Sequence, residues 1–133
     1  MYSVLDACAM IAFLRDEPGA EVVQSHLVSE PPACLAHAVN LCEVFYHFLT
    51  EAGEDAARRA LDDLRAAGLV VREDMDEAFW QQVGRHKVRY RMSLADSFAL
   101  SLAERFGAEL ITSDHGDFDQ VAGIAGSHVT FIR

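Results

Sequence analysis

The chain has 133 residues and a mass of 14.7 kDa, with 51% hydrophobic and 24% charged residues, the composition of a globular protein rather than a disordered or fibrous one. Its length suits one domain spanning residues 1–133, large enough to hold a core without disulfide or metal staples. Eleven Lys and Arg against 21 Asp and Glu give a formal charge of −10, which excludes a protein that coats nucleic acid by bulk electrostatics and leaves only local contact with it.

Residues 2–5 form a short extended run ending at Asp6, and residues 7–14 read as helix up to the breaker Asp16-Glu17-Pro18-Gly19. Residues 20–28 make a second helix, Pro31-Pro32 punctuates, and residues 33–36 are a brief strand that leads into a long helix over 38–52, stopped by Gly53. Residues 54–67 place Ala57, Leu61 and Leu64 on one helical face, and Gly68 precedes a strand over 69–72. A helix over 75–89 and another over 93–106 follow, the latter ending at Gly107. Residues 109–112 are a strand, 113–119 a polar loop and 128–132 a last strand. This alternation predicts an α/β fold with a five-stranded, largely parallel sheet flanked by helices on both faces. In such sheets the functional crevice lies outside the carboxyl ends of the strands, where Asp6 and Asp114 fall.

The three cysteines, Cys8, Cys34 and Cys42, have no zinc-like spacing and read as small, mostly buried thiols in a reducing cytoplasm. Between Glu30 and Glu43 only 12 residues are free of Asp, Glu, Lys and Arg, short of the roughly 20 that span a membrane. No secretory signal pattern opens the chain, so a soluble cytoplasmic protein without membrane contact is expected.

Four acids stand out, each with an ordinary reading beside the functional one. Asp6 serves equally well as an N-cap, and Asp114 as a turn residue. Asp96 lies off the polar face of its helix, drawn by Ser97, Ser101, Glu104 and Arg105, and is otherwise a first-turn acid capped by Ser93. Glu43 shares a stripe with Asn40, His47 and Thr50 that reads as a solvent face with a Glu43–His47 contact. Taken jointly, four acids at two strand ends, one helix start and one polar stripe can converge on one crevice, where their mutual repulsion calls for a cation. Oxygen donors without a competing Cys or His cluster select Mg²⁺ or Mn²⁺, and His37, His47 and His115 lack metal-ligand spacing. Such a cage suits hydrolysis of a phosphodiester, the metal lowering the pKa of the attacking water and neutralising phosphate charge.

At these residues the sequence resembles the PIN-domain nucleases and, within them, the VapC-like toxins of toxin–antitoxin modules. The carriers are Val4-Leu5-Asp6-Ala7-Cys8-Ala9-Met10-Ile11, Asn40-Leu41-Cys42-Glu43-Val44, Leu94-Ala95-Asp96-Ser97-Phe98-Ala99-Leu100, and Thr112-Ser113-Asp114 with Asp117-Phe118. The resemblance implies a Mg²⁺- or Mn²⁺-dependent endoribonuclease acting on RNA, held in check by a cognate antitoxin and homodimeric. It implies Asp6, Glu43, Asp96 and Asp114 as catalytic metal ligands and Asp117 as an accessory ligand. Many relatives carry Ser or Thr just after the first aspartate, where this chain has Ala7-Cys8, which leaves the hydroxyl contact to Thr112 or Ser113. Three aspartates, Asp114, Asp117 and Asp119, compete for the last metal-facing place.

Four of the 11 basic residues, Arg85, Lys87, Arg89 and Arg91, crowd before the Asp96 helix. They are candidates for RNA contact together with Thr112 and Ser113, or else a solvated helix end whose cations suit the C-terminal dipole. Phe79 and Trp80 read as core or partner-facing anchors. Two other functions compete: a non-catalytic PIN-like module that binds RNA or protein, and a phospho-acceptor signalling domain. The first has no need for four repelling acids, and the second wants a Lys after the last strand, where this chain ends Ile132-Arg133.

Overall fold

In the computed structural model, which describes residues 1–133, the strands β1 (Ser3–Leu5), β2 (Cys34–His37), β3 (Val70–Arg72), β4 (Glu109–Thr112) and β5 (Val129–Phe131) form one sheet in the order β3-β2-β1-β4-β5. Every pairing is parallel: Ser3 opposes Cys34 on one side and Glu109 on the other, Leu35 opposes Val70, and Leu110 opposes Val129. The predicted α/β alternation is therefore the observed one, with strand bounds shifted by about a residue.

Alternation along each strand makes two cores. Val4, Leu35 and Leu110 point to one face, where they pack with α5 (Glu77–Tyr90), α6 (Leu94–Phe106) and α7 (His115–Ala122) through Phe79, Val83, Phe98, Leu102 and Phe118. Leu5, Ala36 and Ile111 point to the other, against α1 (Ala7–Leu14), α2 (Ala20–Leu27), α3 (Ala38–Ala52) and α4 (Glu54–Ala67) through Met10, Val23, Leu41 and Leu64. Strands this buried on both sides read as continuous apolar runs because each successive side chain meets a helical layer. Gly68, at φ +120°, turns α4 into β3, and a Cβ there would stand 2.3 Å from the Leu27 carbonyl oxygen.

One element departs from expectation. The predicted polar loop over 113–119 is mostly helix: Asp114 caps α7 by accepting from the Asp117 N–H at 3.1 Å, Asp117 sits in the first turn, and Phe118 and Val121 bury one face. The supposed polar face of α6 also fails, because Ser97 and Ser101 are 0% and 2% exposed and, past Leu94 at its start, only its last turn reaches solvent. Of the cysteines, Cys34 alone is buried. No helix is long and apolar enough to cross a membrane.

The chain proceeds from the central β1 outward through β2 to β3, then crosses back to β4 and β5. The reversal lies between β1 and β4, and their carboxyl ends open the crevice in which ligands bind in folds of this kind.

Candidate active site

Each strand hands its acid to the start of a helix. Asp6 follows β1 and caps α1, its Oδ1 accepting from the Ala9 N–H at 2.9 Å. Asp114 follows β4 and caps α7. On α6, the Asp96 N–H donates to the Ser93 Oγ at 3.1 Å, which puts the Asp96 carboxyl in the first turn. Three helix N-termini thus bring their partial positive charge to one crevice and offset part of the repulsion among the acids.

The carboxylates of Asp96, Asp114 and Asp117 each offer an oxygen within 4.8 Å of the others. Asp6, wholly buried, joins them through Thr112, whose hydroxyl donates to Asp6 Oδ2 and accepts from the Asp114 N–H at 2.9 Å. Thr112 is 0% exposed, so of the two hydroxyls it takes the internal bond and only the half-buried Ser113 is left near the surface. Asp117 Oδ2 accepts from the Ser93 N–H at 3.0 Å. Asp119 turns away to His115 at 2.6 Å.

Glu43 stands apart from the three, its carboxylate accepting from the Tyr46 hydroxyl at 3.5 Å. The predicted Glu43–His47 contact does not form, since His47 lies against Arg15 at 3.3 Å and Glu51 at 3.7 Å. Nor is the Glu43 stripe a solvent face at its start: Asn40 is 0% exposed, and its Nδ2 donates to the Ala95 carbonyl at 3.0 Å, tying α3 to the Asp96 helix.

The electrostatics are those of charge held in too little water. Burial pushes Asp6 up to about 7, with Asp114 and Glu43 adding repulsion and Thr112 and Ala9 opposing it by hydrogen bonds. Glu43 is raised, by burial first and by Asp114 as well. Asp96 is raised by burial and then by its neighbours Asp117, Asp6 and Asp114, whereas its hydrogen bond to Asp117 lowers the latter.

The donor set is all oxygen, its three closest members are mutually near enough to share one ion, and Asp96 is 7% exposed. A hard divalent cation fits that description.

The four basic residues divide. Arg85, Lys87, Arg89 and Arg91 are all exposed, but Lys87 reaches back to the Met92 carbonyl at 3.3 Å. Arg85 and Arg89 flank Val88 on an open groove. Phe79 is buried and Trp80 is 47% exposed. Sequence reasoning missed the Ser93 N–H and the Asn40 bridge; a polar residue buried three positions before Glu43 was the available signal. A cavity of about 500 Å³ is lined by Leu100, Ala103, Glu104 and Val129, and none of the four acids borders it.

Comparison with known proteins agrees with this architecture. The chain is 27% identical over 133 residues to a protein of Mycolicibacterium smegmatis named Ribonuclease VapC, covering 94% of this chain and 99% of that one. Its fold is shared by VapBC2 from Rickettsia felis bound to a DNA fragment from its promoter, at TM-score 0.76 and 15% identity over 98% of each chain. It is shared too by VapC20 of Mycobacterium tuberculosis, a Sarcin-Ricin loop cleaving toxin, at TM-score 0.69 and 18% identity over 95% of this chain and 98% of that one. The PIN domain model matches residues 3–124, the span that holds the whole sheet up to β4 and every acid of the crevice, and the chain belongs to the PIN domain family.

Proposed function

We infer that this protein is a divalent-metal-dependent endoribonuclease and the toxin of a toxin–antitoxin pair. The observation that carries the reading is the meeting of Asp96, Asp114 and Asp117 within 4.8 Å at the carboxyl end of the sheet, in a PIN domain, with the buried Asp6 one hydroxyl away. The Mycolicibacterium relative named as a ribonuclease supports the activity, and the VapBC complexes support a cognate antitoxin. A homodimer is part of the reading. A toxin acting on RNA works in the cytoplasm, where free cysteines stay reduced.

Asp6, Glu43, Asp96 and Asp114 would hold Mg²⁺ or Mn²⁺, with Asp117 as accessory. When bound, such an ion supplies positive charge that eases deprotonation of water and neutralises the phosphate oxygens. The chain's own groups set the geometry. Thr112 locks the Asp6 carboxylate, the Ser93 N–H locks Asp117, and Asn40 fixes the spacing of α3 and α6. The N-termini of α1, α6 and α7 favour the anionic substrate once the acids are neutralised. Arg85, Lys87, Arg89, Arg91 and Ser113 supply RNA contacts.

Asp6→Asn and Asp96→Asn keep shape and remove charge, so each abolishes Mn²⁺-supported RNA cleavage while circular dichroism stays that of the wild type. Cleavage at the wild-type rate by either variant would remove that acid from the metal site, and a wild-type protein that leaves RNA intact would make a binding module the better reading.

A further inference from the structure

The basic segment splits into two devices, and resting on the nuclease reading we propose that Lys87 is the phosphate-binding cation of the acid crevice. Its ammonium contacts a non-bridging oxygen of the phosphate being cut, whereas Arg85 and Arg89 belong to a separate surface.

Position argues first. The Lys87 Nζ donates to the Met92 carbonyl at 3.3 Å. The next residue, Ser93, donates its N–H to Asp117 at 3.0 Å and accepts the Asp96 N–H on its hydroxyl at 3.1 Å. The lysine head is therefore held at the junction of α5 and α6, where two acids of the crevice are fixed.

Availability argues second. One carbonyl bond uses one of three ammonium hydrogens, and none of the ion pairs in the structure includes Lys87. The residue is exposed, and its flexible stem lets the head swing from the carbonyl to an anion beside Asp117.

Helical geometry separates it from its neighbours. At about 100° per residue, Lys87 lies roughly 200° around α5 from Arg85 and from Arg89. Those two border an open groove of about 590 Å³ with Gln81, Gly84 and Val88, the last 81% exposed. One face of α5 thus addresses the crevice and another addresses solvent.

The chemistry favours a further cation at that place, beside the divalent ion. In hydrolysis the water oxygen bonds to phosphorus, one ester P–O bond breaks, the water proton leaves to solvent or a carboxylate, and the departing oxygen takes up a proton. Through this exchange the non-bridging oxygens carry the negative charge, and a preformed ammonium there acts on the transition state more than on binding.

The test compares Lys87→Gln, Lys87→Arg and the double variant Arg85→Gln/Arg89→Gln. Three quantities are read: single-turnover cleavage at saturating RNA with Mn²⁺, RNA affinity by anisotropy in EDTA, and Mn²⁺ affinity by calorimetry. Lys87→Gln lowers the saturating rate by about a hundredfold, changes Mn²⁺ affinity little, and weakens RNA binding less than the double variant does. Lys87→Arg recovers most of the rate, which also shows that the site folds without the native lysine. A wild-type rate in Lys87→Gln overturns the proposal, as does a loss of rate matched by an equal loss of Mn²⁺ affinity, which would make Lys87 a positioning residue for Asp117. A wild-type protein that binds Mn²⁺ and leaves RNA intact overturns the nuclease reading itself, a failure distinct from the other two.

Discussion

At the scale of single residues, the acids of the crevice are paid for by folding, and pH exposes the cost. Asp6 has an ordinary value of 3.8 and is pushed up to about 7 by burial. Between those values the folded chain keeps a proton that the unfolded chain has lost, so νN exceeds νU and stability falls as pH rises through the window. Asp76, held down to about 2 by the Arg105 hydrogen bond, works in the opposite sense, but its window lies below 3.8 and leaves neutral pH untouched. Asp6→Asn removes the penalty, so in EDTA its melting temperature should exceed that of wild type by a margin that grows between about pH 5 and about pH 8. Scanning fluorimetry at the two pH values checks this, and a constant margin would mean that Asp6 does not titrate there. The same buried carboxyl was legible as an anomaly because a charge at the end of an apolar strand needs a partner. Its partner, the hydroxyl of Thr112, lies 106 residues away and emerges only when β1 and β4 pair.

At the scale of elements, α7 shows how local chemistry misleads. Asp, His and Gly in succession have the composition of a turn, yet Asp114 supplies a cap, Asp117 suits the first-turn dipole, and Phe118 and Val121 complete a buried face. Two anchors are too few to register as helical periodicity, so the helix owes its existence to the core it covers. Phe118→Ala should therefore cost about 3–5 kcal/mol and weaken Mn²⁺ binding as well, because α7 has Asp114 as its cap and Asp117 in its first turn. Denaturant unfolding and calorimetry measure the two effects; stability lost with no change in Mn²⁺ affinity would show that the acids are held without the helix. By contrast α4 and α5 were plain in advance, since their apolar faces repeat over 14 residues each.

At the scale of the molecule, a chain of charge −10 keeps unscreened carboxylates at the crevice and cations on one neighbouring helix. That polarity invites two kinds of ligand, a divalent cation and a cationic side chain from a partner. Mn²⁺ should raise the melting temperature of the free protein by mass action. In complex with an antitoxin that inserts an Arg or Lys into the crevice, the rise should shrink and RNA cleavage should stop. Scanning calorimetry with and without Mn²⁺ on both species decides it, and an equal rise in the complex would mean that the partner inhibits from elsewhere.

By itself the sequence determined the α/β alternation, the order of strands along the chain and the candidacy of Asp6, Glu43, Asp96 and Asp114, because periodicity, breakers and misplaced charge are local properties. It left open whether Asp6 was a cap or a site residue and whether Asp114 was a turn or a site residue; the structure makes both of them helix caps beside the crevice, since a helix that follows a parallel strand begins there. Which of the three late aspartates meets Asp96, which hydroxyl reaches Asp6, and where Lys87 points were decided by the tertiary structure alone. Each depends on the pairing of distant strands or the packing of one helix on another, and a side chain's partner across such a junction is not written in its neighbours along the chain.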